Sequence, residues 1–208
     1  MEARSMKKKL LVAILVAFLA VPALVNAEIV GWNCTDDGDH AIDMGTTTWT
    51  DNDTYYTLGM SCTQNGYPGH ITGDFITDSP SDPKVLIDET VTNDTGLTWT
   101  DYHITLGMTQ TFSFSNIITP DAGWTYDVTP VVAGTIPNGG GPGYVGTINY
   151  YVGSGSPILN NADGEFGFKL TFLGTVAFTA EQVPSFIPEP ATMTLLCIGA
   201  LALTRRKK

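Results

Sequence analysis

The stretch EFGFKLTFLGTVAFTA, Glu165 to Ala180, restricts the fold more than any other part of the chain. Phe166, Phe168, Leu170 and Phe172 occupy every second position, and Val176 and Phe178 keep the same parity beyond Gly174. A period of two places these side chains on one face of an extended strand, whereas a helix would spread them around its axis. The spacing predicts a long core strand, or two strands meeting near Gly174, since glycine inside a strand pattern marks a bend. The pattern recurs in DYHITLGM, where Tyr102, Ile104, Leu106 and Met108 share a parity, and TFSFS and TINYYV supply further strands. Turn formers separate these runs: Ser79 to Pro83, Thr92 to Gly96 and Pro137 to Gly143. Long amphipathic helical patterns are absent. Many short strands joined by polar turns predict an all-β fold, a single antiparallel β-sandwich or jelly-roll-like domain.

One internal echo stands out. Trp49-Thr50-Asp51 is followed by Thr57-Leu58-Gly59-Met60, and Trp99-Thr100-Asp101 by Thr105-Leu106-Gly107-Met108. The spacings differ by two residues, which preserves a strand face. The echo reads either as a duplicated β-unit or as coincidence in a Thr-rich chain.

The two ends have a different character. Arg4 and Lys7 to Lys9 precede an apolar run to Val25, and Val25-Asn26-Ala27 places small residues before Glu28. This is the pattern of a secretory signal peptide over residues 1–27, with cleavage between Ala27 and Glu28. At the other end, Pro188-Glu189-Pro190 is followed by the mostly apolar Ala191 to Leu203 and then by Arg205, Arg206, Lys207 and Lys208. As a helix that apolar run would span about 20 Å, against roughly 30 Å for a hydrocarbon core. The basic end would stay cytoplasmic by the positive-inside rule. Together these features predict a short transmembrane segment suited to transient arrest in the inner membrane.

The C-terminal series, Pro188-Glu189-Pro190, the apolar run and the basic stop, resembles a PEP-CTERM sorting signal. The resemblance implies a bacterium with an outer membrane. It also implies that a membrane enzyme, exosortase, recognises and processes the tail, and that the cargo goes to the cell surface or an exopolysaccharide matrix. The segment Thr90 to Gly107 is similar to a stretch of ectodomains that carry such tails, which implies a shared β-sandwich. The organisation expected is therefore a signal peptide over 1–27, an ectodomain over 28–186 and a sorting signal over 187–208.

Charge separates the same parts. Between Glu28 and Ile187 only Lys84 and Lys169 are basic, against 19 acidic side chains, so the body carries a formal charge of −17. Nucleic acid is excluded as a partner class, since neutralising phosphate needs basic patches. An anionic membrane surface is disfavoured for the same reason. Divalent cations, neutral glycans and basic surfaces remain compatible.

Chemical motifs in the body are few. Cys34 and Cys62 are the cysteines outside the tail, and a pair in an exported chain predicts a disulfide. The cluster CTDDGDHAID offers Asp36, Asp37, Asp39, His40 and Asp43 as oxygen-rich ligands for Ca²⁺. The spacing matches no EF-hand loop, so a solvated acidic loop is the simpler reading and no cofactor is required. His40, His70 and His103 share no local motif, and neither a Gly-x-Ser-x-Gly nor a zinc-protease pattern occurs. The sequence thus predicts a non-enzymatic surface or matrix protein. The alternatives are a glycan-binding module, with Trp32, Trp49, Trp99 and Trp124 as stacking platforms, and, behind it, a secreted hydrolase.

Overall fold

The computed structural model describes residues 27–186. Among them the chain forms eleven strands: β1 (Ile29–Asp36), β2 (Ile42–Asp51), β3 (Tyr56–Gln64), β4 (Gly69–Thr77), β5 (Lys84–Asn93), β6 (Trp99–Met108), β7 (Phe112–Ile118), β8 (Thr125–Thr135), β9 (Pro142–Tyr151), β10 (Asp163–Phe172) and β11 (Val176–Phe186). A six-stranded sheet in the order β1-β4-β11-β6-β9-β8 faces a five-stranded sheet in the order β2-β3-β5-β10-β7. All but Ala27 of the expected signal peptide over 1–27, and the expected sorting signal over 187–208, lie outside the described residues.

The sandwich is antiparallel with one exception: β3 and β5 pair in parallel, Tyr56 opposite Val85 through Gln64 opposite Asn93. The cause is a crossover. After β3 the chain runs through β4 in the opposite sheet and returns beside β3 as β5, so the two point the same way. Strand parity in the sequence carries no information about this pairing.

The parity itself builds the core. Phe166, Phe168, Leu170 and Phe172 of β10 and Val176 and Phe178 of β11 all face inward and are buried, as are Tyr102, Ile104, Leu106 and Met108 of β6. Each such side chain contributes roughly 1.5–3 kcal/mol on burial. The Glu165–Ala180 stretch is two strands, and they belong to opposite sheets. The switch occurs over Leu173–Thr175, where Gly174 adopts φ +60°, a conformation that favours glycine. Phe75 and Phe172 stack across the sandwich at 5.4 Å, and Tyr102 stacks on Phe166 at 4.3 Å.

The echo has no structural counterpart. Its first copy spans the β2–β3 hairpin, with the chain reversing between Asp51 and Tyr56, while the second lies within the single strand β6. The duplicated-unit reading is thereby overturned.

The open sides are treated differently. Between edge strands β1 and β2 the gap is closed by aromatic stacking, Trp32 on Trp49 at 5.3 Å and Trp49 on Tyr56 at 5.1 Å. On the other side β8 overhangs. Tyr126 and Val128 lie opposite Tyr150 and Ile148 in the β8–β9 register, yet they are 49% and 39% exposed where their partners are fully buried. The five-stranded sheet does not reach them. The β8 register slips between Thr129 and Val132, around Pro130.

Candidate functional site

The β1–β2 loop gathers the acids singled out in the sequence, and most of them fold the loop itself. Asp36 accepts from the Gly38 amide at 3.0 Å, Asp37 from Asp39 at 3.2 Å and Asp39 from Ala41 at 2.7 Å. Such turns, in which an Asp side chain caps a nearby amide, explain why acids cluster here. His40 has φ 64° and turns outward to Asp43, 3.3 Å away. Asp43 also accepts from Asn65 at 2.8 Å, and the second Asp36 oxygen accepts from Met44 at 3.2 Å.

Asp37 and Asp39 have a second set of neighbours beyond the loop. Together with His70 they present ligand atoms within 4.8 Å of one another. His70 lies on the outer face of β4, yet it is only 8% exposed. Its Nδ1 is 3.1 Å from Asp37 Oδ2 and its Nε2 is 3.3 Å from Glu181 Oε2 on β11. The β8–β9 loop folds over this face: Ile136 and Pro137 crowd Gly107, and Asn138 donates to Asp37 Oδ2 at 2.9 Å. Burial pushes the Asp37 pKa up, but bonds from Asp39 and the His70 ring outweigh it and hold the carboxyl below the usual range. The arrangement ties two loops to two strands. As a cation site it offers two carboxylates and one ring nitrogen, fewer than the roughly six to eight oxygens that Ca²⁺ takes. His70, Glu181 and Asn138 are distant from Asp37 in sequence, and no local signal marks them.

The predicted Cys34–Cys62 disulfide is absent; both residues are free thiols. Cys34 belongs to the six-stranded sheet and Cys62 to the five-stranded one, and each sulfur has another partner. Cys34 Sγ contacts Met60 Sδ at 3.5 Å, and the Cys62 thiol donates to Glu89 Oε1 at 3.3 Å. Burial, then the Glu89 charge, pushes Cys34 up to about 12 and Cys62 higher still, which makes both poor nucleophiles.

Glu89 is the centre of a buried polar chain that spans the sandwich. Its carboxyl is fully enclosed and lies 2.8 and 2.9 Å from the Gln182 amide nitrogen. Tyr102 Oη lies 2.7 Å from Gln64 Oε1 and 2.6 Å from Gln182 Oε1. Gln64 donates through Nε2 to the carbonyls of Gly66 at 3.0 Å and Gln182 at 3.1 Å, which fixes its Oε1 toward Tyr102. One hydroxyl proton cannot serve two acceptors. The count closes when the Gln182 amide is turned over and Glu89 is protonated. Glu89 then donates to Gln182, Gln182 to Tyr102, and Tyr102 to Gln64. Desolvation raises the Glu89 pKa even against lowering by Cys62 and by a Gln182 amide that donates to it, and turning that amide over removes its opposition, in agreement with the proton. A parity signal for Glu89 existed, since it alternates with Val85, Ile87 and Val91 in β5.

The tryptophans do not form a platform. Trp99 and Trp124 are core residues, their indole N–H groups donating to Thr95 Oγ1 at 3.0 Å and to the Ser156 carbonyl at 2.9 Å. Trp32 and Trp49 stack on each other at the closed edge. His103 faces outward, as its parity predicts, in a polar ladder: its Nδ1 donates to Asn149 Oδ1 at 2.9 Å, and Asn149 donates to Asp127 at 2.6 Å.

At the predicted cleavage point, Ala27 is buried and the Glu28 amide donates to Asp78 Oδ1 at 2.9 Å. Cleavage there would place the new ammonium group beside a carboxylate. The sandwich starts from this end, and β11 leaves it at the opposite end. Phe186, the last residue of β11, lies opposite Trp99 and packs on the Tyr67 ring at 5.5 Å. Residues 186–208 match the family model described as the PEP-CTERM protein-sorting motif. The chain carries a PEP-CTERM sorting signal. This PEP-CTERM segment marks an exported, membrane-passing precursor of the kind processed by exosortase, and its match begins on a strand residue of the sandwich. Pro188, Glu189, Pro190 and the basic stop from Arg205 to Lys208 lie outside the described residues. No curated protein and no solved structure matches the chain.

Proposed function

We propose that this chain is a non-enzymatic exported protein, delivered by its PEP-CTERM signal to the cell surface or extracellular polysaccharide of a bacterium with an outer membrane. The observation that carries this reading is the direct joining of a sorting signal to a folded β-sandwich. The body's acids support it: Asp36, Asp37 and Asp39 cap turns, Glu89 is locked in the core, and the formal charge of −17 favours solubility outside the cell. Glu189→Gln is expected to block processing while leaving translocation intact. The precursor should then accumulate in the inner membrane, as judged by fractionation and mass spectrometry of the C-terminus. Surface-located protein that still ends in Arg-Arg-Lys-Lys would sink the processing half of the proposal.

A second reading, glycan binding, draws on the outer face of the six-stranded sheet. There Asp127, Asn149 and His103 form a pre-arranged hydrogen-bonding ladder, and the Tyr151 ring meets His103 edge-on at 6.2 Å. A glycan array probed with the exported protein, and with Asn149→Ala as control, tests it. Equal signals from both proteins would count against this face.

A further inference from the structure

We propose that the end of the sandwich around Tyr67, Phe186 and Leu159 is a docking surface for the membrane enzyme that processes the tail; this rests on the sorting reading of residues 186–208. The argument begins with chain length. Only Ile187 separates Phe186 from Pro188. At no more than about 3.6 Å per residue, Glu189 lies within roughly 11 Å of Phe186 along the chain. An enzyme that grips Pro-Glu-Pro therefore meets the sandwich end at the same time.

The sandwich does not give way readily at this point. β11 is the third strand of six, paired with β4 on one side and with β6 on the other. Its last residues, Pro184 to Phe186, pair with Tyr102, Asp101 and Trp99, and Tyr102 and Trp99 are among the most buried side chains. Freeing more chain for the enzyme would open the core around them. A body that stays folded must present its end surface to whatever processes the tail.

That end carries two of the exposed apolar side chains of an otherwise strongly acidic body. Tyr67, in the β3–β4 loop, is 48% exposed while its ring packs at a tilt on Phe186, and Leu159 is 59% exposed. Leu159 follows Ile158, which bridges Trp99 through two backbone hydrogen bonds of 2.9 and 3.0 Å, on the side away from Phe186. The two exposed groups thus flank the exit of the tail, about three strand spacings of roughly 4.8 Å apart at backbone level. Exposed apolar groups beside the tail exit give an enzyme that holds the tail apolar surface to bury. A protein partner fits better than the bilayer, because the exposed Asp94 and the −17 body are repelled by anionic lipid.

The test uses full-length precursor in cells that carry the processing enzyme. Tyr67→Asp with Leu159→Asp is made in the native chain and in a chain with ten Gly/Ser residues inserted after Phe186. Tyr67→Ser with Leu159→Ser serves as a milder pair in which the fold is kept. Processing is followed by the appearance of the mature C-terminus in a pulse-chase. Docking predicts about a tenfold slowing at the native junction, and equal rates for substituted and parent bodies once the linker is present. Unchanged processing at the native junction with either pair overturns the proposal. So does the same slowing with and without the linker, which would indicate a bilayer contact or an export defect. Glu189→Gln separates the two levels: if that variant is processed like the parent, the sorting reading itself has failed and the docking surface falls with it.

Discussion

Glu89 shows how much a single side chain decides. Its pKa is raised above the ordinary 4.5, with burial as the first cause. In the window between the unfolded value and the raised folded value, the folded state holds a proton that the unfolded state has released. Stability is then fully present below about pH 4.5 and falls as pH rises toward the folded pKa, by about 1.4 kcal/mol per pH unit. Glu89→Gln supplies the donor of the protonated acid without the titration. Its stability relative to the parent should grow from pH 5 to pH 8, read from urea unfolding at each pH. Parallel curves for the two proteins would refute the proton assignment. Glu89→Ala should instead cost roughly 1–3 kcal/mol at pH 5, because Gln182 is left without a partner. The cysteines give a second residue-scale expectation. Alkylation of unreduced, denatured protein should modify both Cys34 and Cys62, and native protein should react slowly because burial holds both as thiols. A mass showing neither modified would restore the disulfide.

At the scale of elements, β8 is the exposed edge. It has β9 as its hydrogen-bonded neighbour, and it carries exposed Tyr126, Val128 and Val132. A long apolar edge invites pairing with another chain. Pro130 lacks an N–H and sits where the register slips, so it interrupts the row of free donors. Pro130→Val is expected to increase dimers and larger species in size-exclusion chromatography, with little change in monomer stability. A purely monomeric variant would show that the edge is guarded by something else. At the other edge, the Trp32–Trp49–Tyr56 stack already closes the gap, so no comparable device is required.

For the whole molecule, the sandwich separates its two ends. Glu28 immediately precedes β1, and the tail leaves from the far end of β11, which runs parallel to β1 through their shared antiparallel neighbour β4. The tail therefore leaves from the end of the sandwich opposite Glu28. We propose that the tail arrests the precursor in the membrane; removing Arg205 to Lys208 should then weaken the arrest, since an apolar run that would span about 20 Å as a helix holds poorly in a core of about 30 Å without cytoplasmic charge. Fractionation should move part of the protein from membrane to periplasm. Full membrane retention would mean that the basic stop is dispensable.

Strand parity and the sorting signal were legible because each is written in neighbouring residues. The alternation in Glu165–Ala180 and in Tyr102–Met108 requires one buried face whatever the strand pairs with. The Pro-Glu-Pro, apolar and basic series is likewise contiguous. The inward parity of Glu89 was also visible, although its partners were not. Tertiary structure decided everything that depends on which strands meet. The parallel β3–β5 pair follows from the crossover through β4, and the Trp49 echo fails because one copy bends into a hairpin while the other stays straight. Cys34 and Cys62 remain thiols because each packs against a different neighbour between the sheets. His70 meets Asp37 and Glu181 because β4 lies beside β11 and a distant loop folds over them. Local alternation determines which side of a strand is buried, because burial of an apolar face is a property of the strand alone. Pairing between strands far apart in sequence is set by the closure of the whole sandwich, which no short stretch of residues encodes.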